Sequence, residues 1–136
     1  MSISENRQML IDALLSGDYK QCRRALKTSD GTTEKYCPWG LACELYRQAN
    51  PDVCSWKDHS CERGYTYKSY FVSDDYEKFR CSRPSPAVVE FFGFCADEYK
   101  CGLGDCDVCE IIYMGDGGMN SFVEIAERIK QMEVVE

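Results

Sequence analysis

The chain has 136 residues, ten of them cysteines, and a formal net charge of −7 at pH 7. This length fits one domain with its own core, and the acidic balance argues against extended nucleic-acid or anionic-membrane binding, which needs clustered Lys and Arg. The N-terminal segment lacks the features of a secretory signal, and no stretch approaches the roughly 18 apolar residues of a membrane span. We therefore expect one domain, residues 1–136, in the cytoplasm, where thiols are normally reduced.

Four helices are predicted from capping residues followed by apolar residues at helical spacing. Capping boxes or first-turn prolines mark their starts, and glycines or an Asn-Pro pair mark their ends. In chain order they run from Ser2 or Ser4 to Ser16-Gly17-Asp18, from Pro38 to just before Asn50-Pro51, from Ser85-Pro86 to Gly93, and from the Ser121/Glu124 capping box through Met132.

Strand character is concentrated in two predicted antiparallel hairpins. The β-favouring run from Tyr65 to Val72 is followed by a turn and a returning strand containing Tyr76 and Phe79. A second hairpin would join residues 21–26 to residues 33–37 across a Ser-Asp-Gly turn. Residues 50–62 and 95–110 are expected to be irregular. The sum is an α+β fold, a single compact domain of about four helices packed with short antiparallel β-hairpins.

Four blocks follow one another over nearly the whole chain. They are ALLSGDYKQ at residues 13–21, YCPWGLACEL at residues 36–45, SPAVVEFFG at residues 85–93 and GDGGMNSFVEIA at residues 115–126. In sequence and order these blocks resemble a family of small proteins from tailed phages and bacteria, whose members read approximately ALRSGxYxQ, YCCLGVLCDL, LPPxVxxWxGL and LNDxGxSFxEIAxxI. The resemblance implies a viral accessory protein in the host cytoplasm more than it implies a mechanism.

This chain departs from the family pattern in three places. Pro38 and Trp39 replace a Cys-Leu pair, Phe91-Phe92 stands near the usual Trp, and a cysteine-rich loop at residues 95–109 is added. A metal site in that loop therefore has to be argued from its own chemistry.

The cysteine-rich loop holds a set of thiols compatible with zinc. Four thiolates suit tetrahedral zinc, and the glycines between them allow tight turns. The spacing also matches three ligands of a plant-type iron–sulfur run, but no cysteine follows at the distance of the fourth ligand. Free thiols and disulfides are further alternatives. The predicted metal ligands are Cys95, Cys101, Cys106 and Cys109.

Aromatic and basic residues suggest a cleft that stacks a planar base and contacts phosphate, although core packing and cross-strand pairs explain the same aromatic residues. The predicted ligand-binding residues are Tyr19, Arg23, Arg24, Trp39, Tyr65 and Tyr67. Such a pocket is often built between subunits, so a homo-oligomer is compatible with this hypothesis.

An enzyme that uses a cysteine or zinc is the hypothesis with the least support from the motifs. The chain has no Gly-x-Ser-x-Gly elbow and no Walker-type phosphate loop, and Gly115-Asp116-Gly117-Gly118 is better explained as a turn before a helix. One hypothesis is a non-enzymatic phage-type accessory protein that binds a small host molecule, such as a nucleotide defence signal, or a host protein. The alternative is a zinc-stabilised protein-interaction module.

Overall fold

The structure, a computed structural model, describes residues 2–23, 25–29, 32–59, 67–73, 76–77, 84–95 and 106–135, and at positions 58, 59, 67–73, 76 and 77 it describes the backbone alone. The described residues form a single α+β domain with five helices and a six-stranded sheet. This confirms the predicted fold class.

The helices are those expected plus one. All four predicted helices are present, and none of the described helices is both long and apolar enough to cross a bilayer. The additional helix begins inside the segment 95–110, so the prediction of irregular structure there is wrong from residue 107 onward. The helices are α1 (Ile3–Leu15), α2 (Pro38–Ala49), α3 (Pro86–Phe91), α4 (Asp107–Asp116) and α5 (Phe122–Ile129).

Serine side chains fix the starts of the first and last helices. Ser2 caps α1, where its hydroxyl accepts a hydrogen bond from the Glu5 N–H at 3.1 Å. Ser121 accepts from the Glu124 N–H at 3.3 Å, and the Ser121 N–H donates to the Glu124 carboxylate at 3.0 Å. These bonds satisfy N–H groups that lack partners within the helix, which is why the capping pattern located both starts.

The sheet has the strand order β1-β3-β2-β5-β4, with β6 also paired to β5. All pairs are antiparallel except β1 with β3, so the sheet is mixed rather than built from hairpins alone. The strands are β1 (Lys20–Gln21), β2 (Lys27–Ser29), β3 (Glu34–Tyr36), β4 (Cys54–His59), β5 (Tyr67–Ser73) and β6 (Tyr76–Glu77).

The two predicted hairpins are partly confirmed. β5 pairs with β6 as expected. β2 pairs with β3, but the first strand of this hairpin is Lys27–Ser29 rather than residues 21–26, and Gln21 lies in the parallel strand β1 opposite Tyr36. The irregular segment predicted at residues 50–62 is also wrong, because β4 occupies much of it and pairs with β5 along its whole length.

Helix α2 lies at the centre of the domain and contacts α1, α3, α4 and β3. Its residues from Pro38 to Leu45 are all buried, as expected for a helix surrounded by other elements. The start of α2 packs directly on a backbone segment, since the Cys37 N–H donates to the Leu26 carbonyl at 3.1 Å. Gly40 also faces that carbonyl, where an added Cβ would overlap its oxygen and lie 3.0 Å from Leu26 Cα.

Arg7, in α1, is a buried side chain that forms hydrogen bonds to the end of α3 and to the C-terminal segment. Its side chain is 4% exposed and its guanidinium carbon lies 3.9 Å from the centre of the Phe94 ring. Burial lowers the pKa of Arg7, partly offset by the Asp107 carboxylate. The guanidinium donates to four carbonyls, those of Phe92 (2.8 Å), Gly93 (2.6 Å), Met132 (3.1 Å) and Glu133 (3.2 Å).

Candidate functional site

An open cleft of about 320 Å³ lies beside the parallel pair β1 and β3. One wall comes from the segment that connects α1 to β1, and the other comes from β3 and the residues just before it. This volume is at the lower end of the roughly 300–1,000 Å³ typical of small-molecule sites. The lining residues are Asp18, Tyr19, Lys20, Thr32, Thr33, Glu34 and Tyr36.

Aromatic rings extend from the cleft toward the sheet. The Tyr19 ring, which is half-buried, meets the Tyr36 ring edge to face, with centroids 5.9 Å apart and planes at 78°. Tyr36 is buried and lies 6.3 Å from the Trp56 ring. Such edge-to-face pairs hold ring orientations, so Tyr19 has a fixed support behind it.

The Glu34 carboxylate is held at the cleft by two groups. The Tyr36 hydroxyl donates to Glu34 Oε2 at 3.2 Å, and Lys27 Nζ lies 3.4 Å from Glu34 Oε1. Burial, followed by the nearby carboxylates of Glu44 and Glu34, raises the pKa of Tyr36, so its hydroxyl stays a donor at neutral pH. The Glu34 side chain is 56% exposed and therefore accessible to a ligand.

Lys27 is placed between aromatic faces. Its ammonium lies 5.3 Å from the Trp56 ring centre and 5.8 Å from the Tyr36 ring centre, and its side chain is 13% exposed. The positive charge is thus stabilised by the faces of two rings and by one carboxylate.

A second carboxylate lies behind the aromatic rings. Glu44 accepts hydrogen bonds from Arg47 Nε and Nη2, each at 2.7 Å, from Gln48 Nε2 at 3.0 Å and from Trp56 Nε1 at 2.9 Å. Burial raises the pKa of Glu44, but the hydrogen bonds from these three side chains together outweigh it and bring the pKa to about 2. Glu44 therefore anchors the ring of Trp56 to α2.

Glu44 should make the free energy of unfolding depend on pH in the acidic range. Its folded-state pKa is below the ordinary 4.5, so the stabilisation is complete above pH 4.5 and is lost as the pH falls toward 2. We expect Glu44→Gln to lower the free energy of unfolding more at pH 7 than at pH 3, measured by urea denaturation. The control is Glu127→Gln, which removes a 58%-exposed carboxylate that pairs with Lys130 on the surface. If Glu44→Gln lowers the free energy of unfolding equally at pH 7 and at pH 3, the lowered pKa of Glu44 is contradicted.

The structure separates the predicted ligand-binding residues. Tyr19 lines the cleft, and its role in binding stays a prediction. Trp39 is wrongly predicted, because it is 1% exposed, packs edge to face on Phe94 and donates through Nε1 to the Val108 carbonyl at 3.2 Å. Its indole completes the core and cannot meet a ligand.

The predicted phosphate-contacting arginines are not shown at the cleft. Arg23 donates to the carbonyls of Gly115 and Met119, where it caps the C-terminal end of α4. The Arg23 guanidinium is therefore held by these carbonyls, and Arg23 is not among the residues that line the cleft. Arg24 and Tyr65 lie outside the described residues, and only the backbone of Tyr67 is described, in β5.

Sequence reasoning missed most of the cleft. Lys20, Glu34 and Tyr36 meet there because β1 pairs with β3 in parallel, and parallel pairing across an intervening strand leaves no local turn signal. The one usable sign was the predicted strand at residues 33–37, which contains Glu34 and Tyr36.

Three of the four predicted zinc ligands are described. Cys106 is buried and caps α4, Cys109 is half-buried in the first turn of that helix, and the Cys95 N–H donates to the Asp107 carboxylate at 3.3 Å. No group of three His, Cys, Asp or Glu side chains able to hold a metal was found among the described residues. Cys101 lies outside them, so the zinc quartet stays a prediction.

Comparison with known proteins gives one family match. The model of a family described as "Domain of unknown function (DUF8296)" matches residues 3–133, nearly the whole chain. No curated protein and no solved structure matches. Any function must therefore be argued from the geometry of the cleft and its surroundings.

Proposed function

The chain belongs to the DUF8296 family of domains of unknown function, and we propose that it is a non-enzymatic binding protein whose cleft takes a small nucleotide-like molecule. The observation that carries the proposal is the combination, in one cleft, of the supported Tyr19 ring with the oriented Glu34 carboxylate. The resemblance of four sequence blocks to proteins of tailed phages and bacteria supports a role as a phage accessory protein that sequesters a host signal.

The two side chains suit different parts of such a ligand. A half-buried tyrosine ring offers a surface on which a base can stack, and stacking contributes about 1–3 kcal/mol per base. A carboxylate accepts hydrogen bonds only, so Glu34 favours a base edge that carries N–H donors. Tyr36 and Lys27 hold this carboxylate in place before the ligand arrives, which reduces the cost of ordering it.

The charges near the cleft favour a ligand with a single small anionic group. Lys20 is exposed beside Tyr19 and offers one ammonium to a phosphate, whereas Asp18 on the same wall opposes a highly charged ligand. A mononucleotide or a cyclic nucleotide fits this balance better than a polyphosphate does.

Ligand binding is tested by a thermal-shift screen of cyclic and linear nucleotides, followed by calorimetry on any that raises the melting temperature. We expect Tyr19→Ala to weaken binding roughly 5- to 150-fold, which is the affinity equivalent of one lost stacking contact. Glu34→Gln should also weaken binding, and most strongly for bases whose edges carry several N–H donors.

The matched control is Tyr113→Ala. Tyr113 is a 67%-exposed tyrosine on α4, away from the cleft lining, and its loss should leave affinity unchanged. The proposal fails if no nucleotide raises the melting temperature at millimolar concentration, or if the Tyr19 and Tyr113 variants bind equally well.

A further inference from the structure

Two thiols lie together at the start of α4. Cys106 is the N-cap residue, and its Sγ accepts a hydrogen bond from the Cys109 N–H at 3.5 Å. The Cys109 side chain is joined to that same nitrogen through its Cα, so the two sulfur atoms are within reach by side-chain rotation. Cys-x-x-Cys pairs at helix N-termini are a recurrent setting for reactive thiols.

A second thiol-capped helix provides an internal comparison. Cys37 caps α2 in the same way, with its Sγ accepting from the Gly40 N–H at 3.3 Å. It is 1% exposed and burial raises its pKa, so this thiol is protonated and inert. Glycine occupies the position that Cys109 holds in α4. The cap alone is thus a structural device, and of these two helices only α4 has a second cysteine at the residue whose N–H bonds to the capping sulfur.

The negative charges of the acidic residues beside the two α4 thiols are offset by neighbouring groups. Glu110 is bound by Arg128 at 2.7 and 3.1 Å, and the Asp107 carboxylate accepts from the Cys95 N–H. Arg7 also interacts electrostatically with Asp107. Cys109 is half-buried whereas Cys106 is buried, so an external reagent reaches Cys109 first.

We propose that Cys106 and Cys109 form a redox-active dithiol that exchanges with low-molecular-mass disulfides. The Cys109 thiolate attacks one sulfur of the disulfide RSSR, which forms a mixed disulfide and releases RS⁻, protonated to RSH. The Cys106 thiolate then attacks Cys109 Sγ and releases the second thiol. Two electrons pass from the protein to RSSR, and the net products are one Cys106–Cys109 disulfide and two RSH.

The test exposes the purified full chain to oxidised glutathione, alkylates the remaining thiols and maps the products by mass spectrometry. A protease that cleaves before aspartate places these cysteines on different peptides. The cut before Asp105 separates Cys101 from Cys106, and the cut before Asp107 separates Cys106 from Cys109. We expect a cross-linked Cys106/Cys109 peptide pair and two glutathione thiols released per chain. Cys106→Ser should accumulate glutathione on Cys109, while Cys109→Ser should not be modified at the buried Cys106.

Cys95→Ser is the matched control and should leave the reaction unchanged. The proposal is overturned if Cys106 and Cys109 stay reduced, or if either pairs with Cys95 or Cys101 instead. Metal analysis of the same sample adds one further contradictory result. About one equivalent of zinc that protects both thiols, and that is lost in Cys101→Ser, would overturn the dithiol and support the zinc quartet.

Discussion

Replacing Gly40 with alanine is expected to destabilise the domain by more than about 4 kcal/mol, or to prevent its folding. Helix propensity alone predicts the opposite sign, since alanine in a helix interior is favoured over glycine by about 1 kcal/mol. Packing decides the outcome, because the new Cβ would overlap the Leu26 carbonyl oxygen and lie 3.0 Å from Leu26 Cα. Both groups are main chain and cannot rotate away. Soluble yield and urea unfolding measure the effect.

Gly17→Ala is the matched control. Gly17 follows α1, has nothing within 4 Å of an added Cβ, and adopts a φ of +77°. Its replacement therefore costs only the strain of a left-handed residue, about 1–2 kcal/mol. If Gly40→Ala is no more destabilised than Gly17→Ala, α2 does not approach Leu26 as closely as described.

Arg7→Met should lower the free energy of unfolding by about 3–5 kcal/mol, and the melting temperature by about 10–15 °C. Methionine preserves much of the packing against Phe94 but removes the guanidinium donors to the carbonyls of residues 92, 93, 132 and 133, and of these carbonyls Gly93 keeps the Val135 N–H at 2.7 Å. Buried acceptors without partners are costly. Thermal and urea unfolding provide the measurement.

Arg128→Met makes the same chemical change at a surface ion pair. Arg128 and its partner Glu110 are 37% and 36% exposed, so its loss should cost no more than about 1 kcal/mol. Arg7→Lys should fall between the two, because it keeps the charge but cannot reach four acceptors in a plane. Equal melting temperatures for the two methionine variants would rule out a stabilising role for the hydrogen bonds of Arg7.

Local signals predicted the helices well because helix ends are satisfied by neighbours in sequence. Ser2, Ser121 and Pro38 each mark a start within a few residues, and the structure confirms all three. Helix α4 was missed because its cap is Cys106, a residue type outside the usual Ser, Thr, Asp and Asn set. The same thiol is one of the four predicted zinc ligands.

The sheet and the cleft could be predicted less well, because they depend on pairing between distant residues. β4 was missed since Trp56 is flanked by polar residues, and its half-buried ring is held by Glu44 rather than by an apolar face. Tyr19 was identified by its residue type, but the partners that give it a cleft come from β3, whose parallel pairing with β1 no short motif encodes. Trp39 was misassigned because size and aromaticity suit a core as well as a ligand.

The position of Arg7 constrains when the domain can form during synthesis. Its partners at residues 132 and 133 are separated from it by 125 and 126 positions, and α1 packs against α5. A nascent chain in which the last helix has not yet been synthesised thus lacks one of the elements against which α1 packs. The domain can therefore complete its fold only after its last helix has been synthesised, and until then the unfinished polypeptide presents apolar surface of the kind that chaperones recognise.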